Sequence, residues 1–512
     1  MRVKKSLINS SVTIFSYIAT FLPVFILRKV FLNELGNELM GLSSLFENII
    51  GYLSIAEMGI GTAIIFSLYK PFAERDFEKV KAYLSYYKRF YFFAGIIIVI
   101  IGLCITPILG IFLRNDLKLL DVKLYFILFL INTLISYLFS YKQCILNVAQ
   151  EGYKLSIATT LSKLIIVMFQ IIIIKVFKSF YLYILTQIIV NLIYYVLINF
   201  YIDNKYNFLD IKSYDLSQVE KKNLTRNIKA LFFHKIGSVL VFGTDNIVLS
   251  TFINLTSVAK YTNYSIIINV FNGIIGNSLN AITPSIGNLL VDGDKNKAYD
   301  IHKKIMFYSF WISSFVVISL FNTLTQFIAL WLGEGSILNQ FTVGVILVNV
   351  YFQMMKGSVG RFKEGAGEYH KDRFAPLIEG LINLVSSIIL VNLIGMPGVF
   401  IGTFISNITV IFWTQPSIVY KYVFNIPVIN YYKEYFRYLF IAIIPLLLTT
   451  ILTYNLKNIY SPSSFILNCL INIVIINTSY IIIFNKNEEF IYFKELLVDL
   501  LKGLLRSIMN NK

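Results

Sequence analysis

The residues of this chain with most chemistry to offer are the charges standing inside long apolar runs. Glu47 and Glu57 interrupt the run at 39–68. Asp245 lies about four turns into the run at 231–253, Lys163 about two turns into the run that starts near 155, and Arg28 near the end of the first run. A carboxylate at the bilayer centre costs about 2.5–3.5 kcal/mol on insertion scales, so each needs a partner, a wet cavity or a cation. Reversible protonation of Asp245 would let it couple proton movement to a conformational change. Arg28 and Lys163 offer positive charge to an anionic group, although Lys163 also reads as a lysine snorkelling to the interface.

Uncharged polar residues form two stripes at helical spacing. Ser44, Glu47, Gly51, Ser54, Met58 and Gly61 make the first, and Asn269, Asn272, Gly276, Asn280, Thr283 and Gly287 the second. Small residues let helices approach closely, while the asparagines read equally as interhelical hydrogen-bonding groups or as the lining of a polar cavity. Arg361, with Lys363, Lys371 and Arg373, sets topology or first meets an anionic headgroup. The sequence has no Walker loop, HExxH or GxSxG, and no carboxylate pair at hydrolytic spacing, so an enzyme is not expected. Cys104, Cys144 and Cys469 fall singly, without ligand spacing, and neither a metal nor a resident cofactor is expected.

The elements that hold these residues are membrane spans. Of 512 residues 57% are hydrophobic and 14% charged, which places the chain outside the soluble globular range. The net charge of +17 would suggest nucleic acid in a soluble protein; here the basic residues lie between apolar runs, and no nucleic-acid partner is expected. Apolar runs predict an all-α polytopic protein of about fourteen spans, near 8–31, 39–68, 90–112, 122–141, 155–175, 179–202, 231–253, 260–290, 305–331, 338–357, 374–394, 397–424, 436–454 and 463–484. The first is read as a retained helix, since it exceeds a signal-peptide core and lacks a cleavage site. About 35 Lys and Arg fall at the N-terminus and in alternate loops, against about 9 in the opposite loops, which predicts both termini in the cytoplasm. The opposite loops, such as Arg114–Asp121 and Asn455–Ser461, are too short for an external domain.

A shift of about 222 residues places Ser43 on Ser265, Glu47 on Asn269, Gly51 on Gly273, Gly61 on Thr283 and Lys81 on Lys303. That repeat predicts two parallel six-helix lobes, 1–202 and 231–430, joined by a cytoplasmic linker at 203–230. Two additional spans occupy 431–485. The tail 486–512 keeps Phe490, Phe493, Leu497 and Leu504 near one face, as an amphipathic helix on the inner leaflet does.

The segment 361–403 carries a resemblance. A basic, glycine-bearing turn (Arg361, Gly365, Gly367) leads to Lys371-Asp372-Arg373-Phe374, Pro376, Glu379 and Asn383, and then to Gly395-Met396-Pro397-Gly398-Val399 and Gly402-Thr403. Together with Glu57-Met58-Gly59-Ile60-Gly61 and Thr244-Asp245-Asn246, it resembles the Wzx-like polysaccharide flippases of the multidrug/oligosaccharidyl-lipid/polysaccharide exporter superfamily. The resemblance implies a flippase in the bacterial cell membrane, handling polyprenyl-pyrophosphate-linked oligosaccharide by alternating access. Arg28, Lys163, Asn269, Asn272, Asn280 and Arg361 would then meet the headgroup, and Glu47, Glu57 and Asp245 a coupling proton or sodium ion. Membrane lipids, a polysaccharide polymerase and assembly proteins would be its partners. The alternatives are a cation-coupled multidrug exporter, whose cavity would lack the basic patch, and a non-transporting scaffold of an assembly complex.

Overall fold

The computed structural model describes residues 2–54, 60–112, 119–209, 215–218, 220–222, 243–291, 294–368, 371–372, 374–496 and 498–499. Among them every regular element is helical. Ten of the described helices are long and apolar enough to cross a membrane. The protein is an all-α, multi-pass membrane protein. Large side chains such as Leu22, Leu393 and Ile451, each 68–72% exposed, face the lipid that a bilayer supplies.

The chain forms two compact units, Met1–Ala259 and Lys260–Lys512. In the first, α1 (Arg2–Leu53) bends at Gly36, whose φ of 85° and ψ of 173° lie in backbone space that side chains exclude. The bend makes two arms of α1, the expected first span and the start of the second. The expected helix at 39–68 comes in pieces, the second arm and α2 (Ile60–Ala73), and Glu57 and Met58 fall outside the described residues. Then follow α3 (Phe77–Ile105), α4 (Leu119–Phe139), α5 (Gly152–Phe177), α6 (Phe180–Lys205) and α7 (Thr244–Phe252). Leu27, Phe31, Leu42, Phe46, Phe126 and Phe180 pack one part of this unit, and Ile64, Leu84, Tyr87, Tyr137, Ile145 and Ile202 another.

The compact-unit boundary falls at 259/260, whereas the expected second lobe starts at 231. The reason is that α7 packs against α1, within the first unit. Half of the expected linker (210–214, 219 and 223–230), and residues 231–242 of the expected seventh span, lie outside the described residues.

After α8 (Leu255–Val291), the second unit comprises α9 (Lys295–Leu332), α10 (Gln340–Gly365), α11 (Ala375–Ile394), α12 (Met396–Phe424), α13 (Ile429–Leu452) and α14 (Pro462–Phe484). Gly398 and Gly402, four residues apart on α12, lie directly on α11: a Cβ on Gly402 would stand 2.3 Å from Ser387 Oγ. Further along, α12 carries π-helical turns at Asn407–Ile411 and Val419–Phe424. Aromatic rings fill the core, with Phe310 stacked on Tyr438 at 4.6 Å. The start of the tail also docks, Phe490 stacking on Trp311 at 5.7 Å. Leu497 and residues 500–512 of the expected amphipathic tail lie outside the described residues.

The helices α3 and α9 begin the same way. Asp76 accepts from the backbone N–H of Lys79 to cap α3, and Asp294 from that of Lys297 to cap α9. Both helices start more than a turn before the apolar runs that predicted them, because the capped first turns are charged and lie beyond the apolar stretch.

Candidate functional site

Arg28, on the first arm of α1, lies within electrostatic reach of Glu47 on the second arm and Tyr183 on α6. The bend at Gly36 brings the two residues within reach of each other, and Phe31 holds the first arm to α6 through ring contacts of 5.7 Å with Phe180 and 5.1 Å with Tyr183. Around Glu47, Leu42, Leu45, Phe46 and Ile49 are buried, yet its own side chain is exposed. A carboxylate that keeps accessible surface within a membrane-length helix points into an opening rather than into packed core. The arrangement offers a visiting polar group a guanidinium and a carboxyl within electrostatic reach of each other.

Five residues further along the same arm, about 7.5 Å of rise, Tyr52 is the electrostatic neighbour of Asp245. Asp245 is 8% exposed and stands in the first turn of α7, after Gly243. Its expected depth of four turns counts residues that lie outside the described set. Lys163 projects from α5 with an exposed side chain, three turns into the helix rather than two, because α5 starts earlier than its apolar run.

In the second unit, Asn269 is exposed and Asn272 half-buried along α8, and the side chain of Asn280 is outside the described set. Asn269, which the 222-residue shift places on Glu47, is accessible as Glu47 is. The basic turn after α10 is threaded with acids. Arg361 pairs with Glu364 at 2.7 Å, Lys363 with buried Asp372, and Lys371 with Glu368 at 3.1 Å. Lys371 also lies over the ring of Tyr422, 3.3 Å from its centroid.

Sequence reasoning did not single out Lys356. The expected helix ended at 357, which placed this lysine at an interface; α10 continues through two glycines to Gly365 and carries it about 13 Å inside the helix end. Lys356 lines a cavity of about 10 Å³ with Asn407, Gln415, Tyr431 and Tyr435, room for about one water. Its electrostatic partner is Glu379 on α11, 4% exposed. Running the helix through Gly357 and Gly360 would have exposed the signal, a lysine and a glutamate both at membrane depth. Among the described residues no cluster of three His, Cys, Asp or Glu is placed to hold a metal ion.

The family described as "Polysaccharide biosynthesis protein" matches residues 3–290. No curated protein matches the sequence. Among solved structures, one described as lipid II flippase MurJ in an inward closed conformation aligns with a TM-score of 0.70 at 14% identity, covering 94% of this chain and 99% of that one. An inward-facing multidrug resistance MATE family transporter of the MOP superfamily aligns at 0.62 and 15% identity, covering 79% and 94%. An outward-facing structure of the same kind aligns at 0.53 and 16% identity, covering 80% and 93%. At these identities the likeness is one of fold.

Proposed function

Because the chain belongs to the polysaccharide biosynthesis protein family, we propose that it is a flippase that carries polyprenyl-pyrophosphate-linked oligosaccharide from the inner to the outer leaflet of a bacterial cell membrane. The observation that carries this reading is Arg28, a guanidinium within electrostatic reach of the exposed carboxyl of Glu47 in the first unit. A sugar-diphosphate head does not cross hydrocarbon unaided, and a planar five-donor cation is suited to a phosphate at low dielectric. The lipid tail stays in the bilayer throughout, and no covalent bond is made or broken.

In this reading alternating access moves the head, with both chain termini in the cytoplasm. Two unaccompanied negative charges leaving a cell that is negative inside gain about 4.6 kcal/mol per 100 mV. Glu47, Glu57 and Asp245 are the groups proposed to take up a coupling proton or sodium ion, Glu47 and Asp245 through the openness and the burial described above. Lys163, Asn269, Asn272, Asn280 and Arg361 complete the proposed headgroup path, and a polymerase and assembly proteins would receive the product.

Full-length protein in liposomes containing fluorescent polyprenyl-diphosphate oligosaccharide tests the proposal. Movement of label to the protected leaflet at a rate well above that of empty liposomes is expected. Efflux of cationic dyes with no movement of glycolipid would move the protein to the drug exporters, and movement of neither would support a scaffold.

A further inference from the structure

A further feature lies on α5 and α6, and its lining does not include Lys163. These helices leave between them a groove of about 610 Å³, lined by Leu161, Ile165 and Phe169 on one side and Ile193 and Leu197 on the other. Leu161 is 54% and Leu197 61% exposed, so the groove opens outward rather than into packed core. Its polar end is built. Lys154 donates to the hydroxyl of Tyr201 at 2.8 Å, lies 3.0 Å from Glu151, and sits over the Tyr201 ring, 5.5 Å from its centroid. Lys205 pairs with the same Glu151 carboxylate and lies 5.8 Å from the Tyr201 centroid.

We propose that this groove binds one membrane phospholipid with an anionic headgroup, an acyl chain lying along the apolar walls and the phosphate at Lys154, Tyr201 and Lys205. The length fits one leaflet. From Lys154 to Phe169 the rise along α5 is about 22 Å, against about 20–22 Å for half a bilayer including its headgroups. An apolar groove at this depth meets only lipid tails, which settles the class of occupant. The sign of charge settles the head. Two lysines share one carboxylate, leaving one positive charge, and Tyr201, which accepts from Lys154, keeps its own proton for a phosphate oxygen. One net basic charge at a membrane surface corresponds to about a fivefold preference for an anionic over a zwitterionic lipid.

Native mass spectrometry of the full chain, titrated with phosphatidylglycerol or phosphatidylcholine, reads this directly. The wild type should retain one phosphatidylglycerol at about fivefold lower concentration than phosphatidylcholine, unaffected by millimolar inorganic phosphate. Lys154→Gln or, independently, Lys205→Gln should bring the two lipids within twofold, and Leu161→Trp, which fills the groove, should lower retention of both. Thermal unfolding confirms that each variant is folded. Equal retention by the wild type, or an unchanged preference in folded Lys154→Gln and Lys205→Gln, overturns the proposal. So does displacement of phosphatidylglycerol by an equal concentration of undecaprenyl phosphate, which would assign the groove to the tail of a polyprenyl lipid.

Discussion

Arg28 and Glu47 stand nineteen positions apart in one helix and still lie within electrostatic reach of one another. On a straight helix that separation is about 28 Å, far beyond the screening length of a physiological solution. The fold-back at Gly36 makes the pair. If Arg28 meets the diphosphate, Arg28→Ala should slow glycolipid movement at least tenfold. Arg28→Lys, which keeps the charge but loses the fork, should fall between. Wild-type rates in Arg28→Ala would remove this residue from the headgroup path.

Gly36 itself gives the second prediction. Its φ of 85° and ψ of 173° belong to a region essentially reserved for glycine, so Gly36→Ala should cost about 1–3 kcal/mol without introducing a clash, since nothing lies within 4 Å of the added Cβ. Thermal unfolding in detergent measures it. A variant as stable as the wild type would mean that the turn tolerates another backbone conformation.

Much of this was legible in the sequence because a bilayer leaves few choices. Apolar runs located the spans to within a few residues for α4, α11 and α14, whose ends coincide with the change from apolar to polar text. Helices that run on into water, α3 and α9, were shortened, because hydropathy stops where the membrane does while an aspartate cap sets the helix start. Of the site, Glu47 and Asp245 were visible as charges in apolar text. The association of Arg28 with Glu47 was not, since it depends on a turn geometry that one glycine only permits. Lys356 escaped notice because two glycines imitated a helix end.

Lys457, in the loop between α13 and α14, gives a pH prediction. Burial brings its amine down to about 8, and it lies 4.9 Å from the centre of the Phe321 ring. In the unfolded chain a lysine holds its proton to about 10.4. Between these values the unfolded state binds more protons, so this group makes stability rise with pH through that window. Buried tyrosines act oppositely above about 10, so the informative quantity is the difference between wild type and Lys457→Met. The variant should be the more stable at pH 7, with the gap closing by pH 10; a gap that does not change with pH would contradict the assignment.

The last two spans belong to the second unit through hydrogen bonds as well as rings. Asn322 on α9 donates to Thr449 Oγ1 on α13 at 2.9 Å and to Asn472 Oδ1 on α14 at 2.8 Å, while Asn468 Nδ2 donates to Gln326 Oε1 at 3.1 Å. All five of these residues are buried, and lipid offers them no substitute partner. Interhelical bonds of this kind average about 0.6 kcal/mol in a membrane, with a maximum near 1.7, so Asn322→Leu should cost about 1–3 kcal/mol. Asn472→Leu should cost less once Asn322 is already leucine, because the bond between them can be lost only once. Strict additivity in that double-mutant cycle, read as thermal unfolding in detergent, would mean that the bond between Asn322 and Asn472 contributes nothing to holding α14 to the unit.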